Sequence, residues 1–219
     1  YCINKNNHSK GLDLLSLIST SSDYFQEAKS IFDELVLLDI NFLLNEFEKL
    51  ILINKDFTPL IESTSKNTIV ALSNKLIDLL RLNPKDWHFK LAQGIILKTD
   101  SLPYQMHGEI LRLLGNKFEA EKYFRLSIEL DGENISNLGG LADVLNDVDL
   151  MVRIQQSLNH NDIDSYWFWL SNLRLLEWHI KSGGNYEVVN AKINRLLSLN
   201  STLGGIYFKD KFNKLRNHK

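Results

Sequence analysis

Six histidines and a single cysteine are the scarce chemical groups of this 219-residue chain. A zinc or iron site needs three or four such ligands brought together by tight spacing or by one helix face. Here His8, His88, His107, His160, His179 and His218 are dispersed, and Cys2 stands alone near the start of the chain. No H-E-x-x-H occurs. Neither a G-x-x-x-x-G-K-[ST] loop nor a G-x-G-x-x-G is present to cradle phosphates. The pairs Gly139-Gly140, Gly183-Gly184 and Gly204-Gly205 are isolated; the first suits close helix packing. No motif sets a nucleophile beside a base. The chain reads as a non-enzyme, with no catalytic residue, cofactor or metal ligand expected.

What remains is the chemistry of recognition. Tyr166, Trp167, Phe168 and Trp169, with Trp178 beyond them, form a dense aromatic cluster. It could be a stacking platform, but rings at helical spacing pack within a helical core more readily. Phe168 is the ring whose register points to an inner face. Near the C-terminus, Tyr207, Phe208, Phe212 and Leu215 lie on one side of a segment carrying Lys209, Lys211, Lys214, Arg216 and Lys219. A basic amphipathic helix can meet a membrane or nucleic acid. This apolar stripe is short, and a terminal cap is the better reading. A formal net charge of -2 gives no global basic field for nucleic acid.

The elements that position these residues are helices. Hydrophobic residues make up 44% of the chain and charged ones 24%, enough to bury a core. Tyr24, Phe25, Ala28, Ile31, Phe32, Leu35 and Leu38 recur at three and four, as do Ile69, Leu72, Leu76, Leu79 and Leu80. Asn83-Pro84, Gly115-Asn116, Asp131-Gly132 and the later Gly-Gly pairs are stops. No apolar run is long enough to cross a membrane as a helix. The expectation is an all-α fold of roughly ten or eleven helices joined by tight turns, with an irregular junction over 55–66.

The helices also repeat. One fixed step along the chain carries Tyr104, Gly108, Leu111, Ala120 and Phe124 onto Leu138, Ala142, Leu145, Ile154 and Leu158. Small and apolar residues stay in step. The stretch 101–134 resembles one tetratricopeptide (TPR) repeat, whose period is the same step. Tyr104 stands at the usual Trp position, Gly115 at the turn and Ala120-x3-Phe124 on the second helix. His107, the late Phe118 and Gly132 depart from the pattern. Further matches cover 9–42, whose second helix follows the pattern closely, 135–163 and, more loosely, 164–200, with a cap over 204–219. The resemblance implies a helical-hairpin solenoid, read as a single domain over 1–219, in which Phe124 and Leu130 fill the groove against the next repeat.

The same resemblance implies a partner-binding inner face carrying Gln105, Glu109, Arg112, Leu113, Asp143, Asn146, Asp147, Phe168 and Asn172. These do not match the Lys/Asn/Arg clamp that holds a terminal carboxylate in some members of the family. Glu109, Asp143 and Asp147 against Arg112 leave the face net negative. A polar or basic peptide of a protein partner is therefore expected on the concave face of a protein–protein interaction scaffold. A Glu109→Lys, Asp143→Lys variant is expected to lose that partner and keep its fold. The alternatives are the repeat portion of a larger transferase-like enzyme and a ligand-sensing regulatory domain. A cytoplasmic location is expected. A start at Tyr1 reads as a fragment or mature product, which leaves an exported or lipid-anchored form open.

Overall fold

A computed structural model describes residues 40–54, 65–158 and 162–217, together with Ser30 and Ile61. The repeat expected over 9–42 and the junction over 55–66 lie almost wholly outside them, as do Cys2, His8, His160 and His218. The described residues form ten helices and no strand. In chain order they are α1 (Ile40–Leu52), α2 (Lys66–Leu82), α3 (Asp86–Lys98), α4 (Tyr104–Leu113) and α5 (Lys117–Asp131). Then come α6 (Ile135–Leu145), α7 (Val148–Ser157), α8 (Tyr166–Lys181), α9 (Tyr186–Leu199) and α10 (Ile206–Asn217). None is long and apolar enough to cross a membrane.

The chain divides into two compact units. Of the described residues, those up to Leu80 and Pro84–Met106 form the first; Arg81–Asn83 and 107–217 form the second. Within the first, α1 packs on α3. Trp87, Leu91, Ala92 and Ile95 supply the buried stripe of α3 at helical spacing.

The second unit is built on tight starts and stops. Asn116, Asn134, Asp147 and Asn185 each accept a backbone N–H from the first turn of the helix they precede. Gly132 ends α5 at φ 79°, a conformation in which a side chain would clash with the backbone. Helix α5 packs on α6, α6 on α7, and α7 on α8; α8 also touches α6 and α9, and α10 packs on both α8 and α9. The rings of Trp167, Trp169, Phe208 and Phe212 anchor this core, with Leu170, Leu173, Val189 and Ile193 around them. Phe208 and Phe212 bring α10 onto it while Lys209, Lys214 and Arg216 stay exposed.

Glycines set the closest approaches. A Cβ on Gly108 would lie 3.1 Å from the Phe124 ring and 3.3 Å from the Ala120 carbonyl. A Cβ on Gly140 would run into the tip of the same ring, and one on Gly139 into the ring of Trp167. Phe124 is thus held between the backbones of α4 and α6. Leu130 does not share this role: it is 68% exposed, as is most of Phe118. Both point out from α5, away from the face that carries Ala120 and Phe124.

Candidate functional site

Arg81 at the end of α2 and five side chains of α4, α6 and α8 make one chain of six charges of alternating sign. Arg112 donates twice to Glu109, Nε to Oε2 at 2.8 Å and Nη2 to Oε1 at 2.7 Å. Arg81, a member of the second unit at the end of α2, donates from Nε to Glu109 Oε1 at 2.8 Å. Arg112 Nη1 also donates to Asp143 Oδ2, whose Oδ1 accepts from Arg174 Nε. Arg174 Nη1 then reaches Glu177 Oε2 at 2.7 Å. The sequence of charges is Arg81, Glu109, Arg112, Asp143, Arg174, Glu177: three positive and three negative.

The centre of this network is buried. The Arg112 and Glu109 side chains are 5% and 4% exposed. Tyr166 seals it: its hydroxyl accepts from Arg112 Nη2 at 3.0 Å, and the Arg81 guanidinium lies 4.4 Å from its ring centre. Burial alone would raise the Glu109 pKa, but the charge and hydrogen bonds of Arg112 and then Arg81 outweigh it and hold the carboxyl below its ordinary value. Asp143 is likewise lowered against the effect of burial, by Arg112 and Arg174. Burial raises Tyr166, against the opposing charge of Arg112.

These directions fix an acid dependence. A carboxyl whose folded pKa is depressed contributes stability above its unfolded pKa of about 4, and loses it as pH falls through the lower folded value. The expected result is a urea midpoint that falls steadily below about pH 4, and less steeply in Glu109→Gln. Midpoints measured by tryptophan fluorescence across this window check it; equal slopes would mean that Glu109 titrates alike in both states.

The network borders a cavity of about 280 Å³. Arg112, Asp143 and Arg174 form its floor, Lys117 and Lys181 its rim, and Trp178 and Tyr207 aromatic walls. The lining carries four cations and two carboxylates. Arg174 uses the N–H of its Nε and one of Nη1, which leaves it further donors.

The residues expected on one binding face are divided by the structure. Glu109, Arg112, Leu113, Asp143 and Asn146 gather around the network and its cavity. Gln105 is half-buried in the first unit. Asp147 is the N-cap of α7, accepting from Leu150 N at 2.9 Å. Phe168 and Asn172 are buried on the opposite face of α8, in contact with α7 and α9 rather than with the network. The stretch expected to be net negative is balanced, because Arg81 and Arg174 join it. Neither was singled out from the sequence. The signal for them was physical: two buried carboxylates require more than one guanidinium.

Of the histidines, His107 is buried and stacks on Tyr123 at 3.9 Å, and His88 Nδ1 accepts from the Lys85 backbone at 3.1 Å. Among the described residues, no group of His, Cys, Asp and Glu is placed to hold a metal ion. Comparison with known proteins finds no matching family model, no matching curated protein and no matching solved structure.

Proposed function

We propose that this chain is a non-enzymatic protein-interaction module, a stack of helical hairpins of the tetratricopeptide kind that binds a polar peptide segment of a partner. The burial pattern supports the repeat reading at three of its five pairs of positions; of the other two, Tyr104 and Leu145 are exposed. Gly108 and Ala142, Ala120 and Ile154, and Phe124 and Leu158 are pairs one repeat period apart, and all six are buried. The observation that carries the binding reading is the cavity beside Arg174. Charged and aromatic side chains from α4, α6, α8 and α10 converge there with hydrogen-bond donors to spare.

The charge of the segment follows from what is still available. Glu109 and Asp143 already accept from arginines, so they offer little to a basic peptide. Lys117 and Lys181 are exposed and make no ion pair among the described residues. An acidic segment would gain charge-assisted hydrogen bonds from them and from Arg174. Exposed pairs contribute only about 0.2–1 kcal/mol each, so Trp178 and Tyr207 must supply the apolar anchors.

The test compares short labelled peptides rich in acidic, basic or neutral polar residues by fluorescence anisotropy. The acidic peptides are expected to bind most tightly, and a Lys117→Glu, Lys181→Glu variant to lose about tenfold or more at an unchanged melting temperature. Equal binding of all three classes, or full affinity in the variant, would sink this assignment of the face.

A further inference from the structure

Phe168 and Asn172 open a different question. They line a second, open cavity of about 300 Å³ between α7, α8 and α9. Its floor is apolar, formed by the Phe168 ring with Leu158 and Leu196. Its rim is cationic. Lys192 and Arg195 stand one helical turn apart on α9 and both face it. Among the described residues, no carboxylate lines the cavity and neither cation makes an ion pair.

Two like charges at this helical spacing repel each other. Burial, and then the charge of Arg195, hold Lys192 below the ordinary lysine pKa. They lie outside the buried face of α9, which is Val189, Ile193 and Leu196. A wall of amides completes the cavity. Gln155 Nε2 donates to Asn172 Oδ1 at 2.8 Å, and Asn172 Nδ2 donates to the Phe168 carbonyl at 2.8 Å, which fixes both side chains. An apolar floor, a polar wall and an uncompensated pair of cations are the elements of a small-molecule site.

We propose that this cavity binds a small organic anion, with a carboxylate or phosphate head between Lys192 and Arg195 and an apolar ring or chain against Phe168 and Leu196. The head neutralises the two cations, and the tail displaces water from the floor. This site is separate from the peptide face proposed above, on the other side of α8, and stands without it.

The test uses the whole chain and four probes in calorimetric titrations: phenyl phosphate, benzoate, benzyl alcohol and inorganic phosphate. Phenyl phosphate and benzoate are expected to bind saturably, one per chain. Benzyl alcohol lacks the charge and inorganic phosphate lacks the ring, so each should be at least about tenfold weaker. Whichever organic anion binds more tightly identifies the head group. Lys192→Gln, Arg195→Gln leaves the buried face of α9 intact, and is expected to cost both anions about tenfold or more while the melting temperature holds. Lys117→Gln, Lys181→Gln should leave their affinity unchanged, since those lysines line the other cavity. Failure of both anions to bind saturably would overturn the proposal. So would benzyl alcohol binding as tightly as benzoate, or undiminished affinity in the Lys192, Arg195 variant.

Discussion

Arg112→Ala is expected to destabilise the second unit by about 3–5 kcal/mol, the range for breaking a buried ion pair by removing one partner. Three groups lose a partner at once. Glu109 keeps only Arg81, Asp143 keeps only Arg174, and the Tyr166 hydroxyl loses its donor. At 4% exposure Glu109 has little access to water in compensation. Arg174→Ala should cost clearly less, because Arg174 is 29% exposed and water can replace it at Asp143. Urea midpoints followed by fluorescence check this, since Trp167, Trp169 and Trp178 all lie in the second unit. An Arg112→Ala loss no larger than that of Arg174→Ala would show that solvent reaches the centre of the network. The same geometry corrects the expectation that Glu109→Lys, Asp143→Lys keeps its fold. Two ammonium groups would then face Arg81, Arg112 and Arg174 in a buried site, and the variant is expected not to fold.

The costs also bear on why such a network is there. Replacing a buried ionic cluster by well-packed apolar side chains is often neutral or stabilising, so the six charges are weak evidence for stability. They do fix a register. Asp143 on α6 pairs with Arg112 on α4 before it and with Arg174 on α8 after it, so the pairing favours one alignment of the three helices. That alignment sets Tyr166 over the guanidinium groups and forms the cavity with Trp178 and Tyr207.

Much of this was legible in the residue pattern. Gly115, Gly132 and Gly183 all adopt φ near 80°, and the stops read at them coincide with helix ends. The repeat spacing placed Glu109 and Asp143 side by side. It missed their arginines because those partners do not follow the period. Arg81 lies less than one full period before Glu109, and Arg174 less than one after Asp143. The spacing also set Phe168 and Asn172 beside Glu109 and Asp143, whereas they pack against α7 and α9. A repeat beginning at 164 puts Phe168 and Asn172 on the inner face, and a shift of two residues in that start turns a side chain by about 200°. Tyr166, Arg174 and Glu177 hold the face assigned to Phe168 and Asn172. The caps were missed for a local reason. Asn116, Asn134 and Asn185 are three among many asparagines, and only the N–H groups of the following turn distinguish them.

Phe124 carries the other large effect. Phe124→Ala is expected to cost about 3–5 kcal/mol, as for a fully buried phenylalanine. The ring is wholly buried, and its two flanks are the backbones of Gly108 and Gly140. Glycine has no side chain to swing into the space left behind. Collapse would require the backbones of α4 and α6 to move toward each other. The same contact predicts a rescue. Gly140→Ala should cost about 1–3 kcal/mol by overpacking, because its new methyl group runs into the ring. Gly108→Leu belongs in the same range for the same reason. Adding Phe124→Leu to Gly140→Ala removes the ring edge that the methyl group meets, so the double variant is expected to be more stable than Gly140→Ala alone. Urea midpoints of the two singles and the double form a cycle with a coupling of about 0.5–3 kcal/mol. Strict additivity would mean that the ring and Gly140 do not touch, and the packing of α5 between α4 and α6 would have to be redrawn.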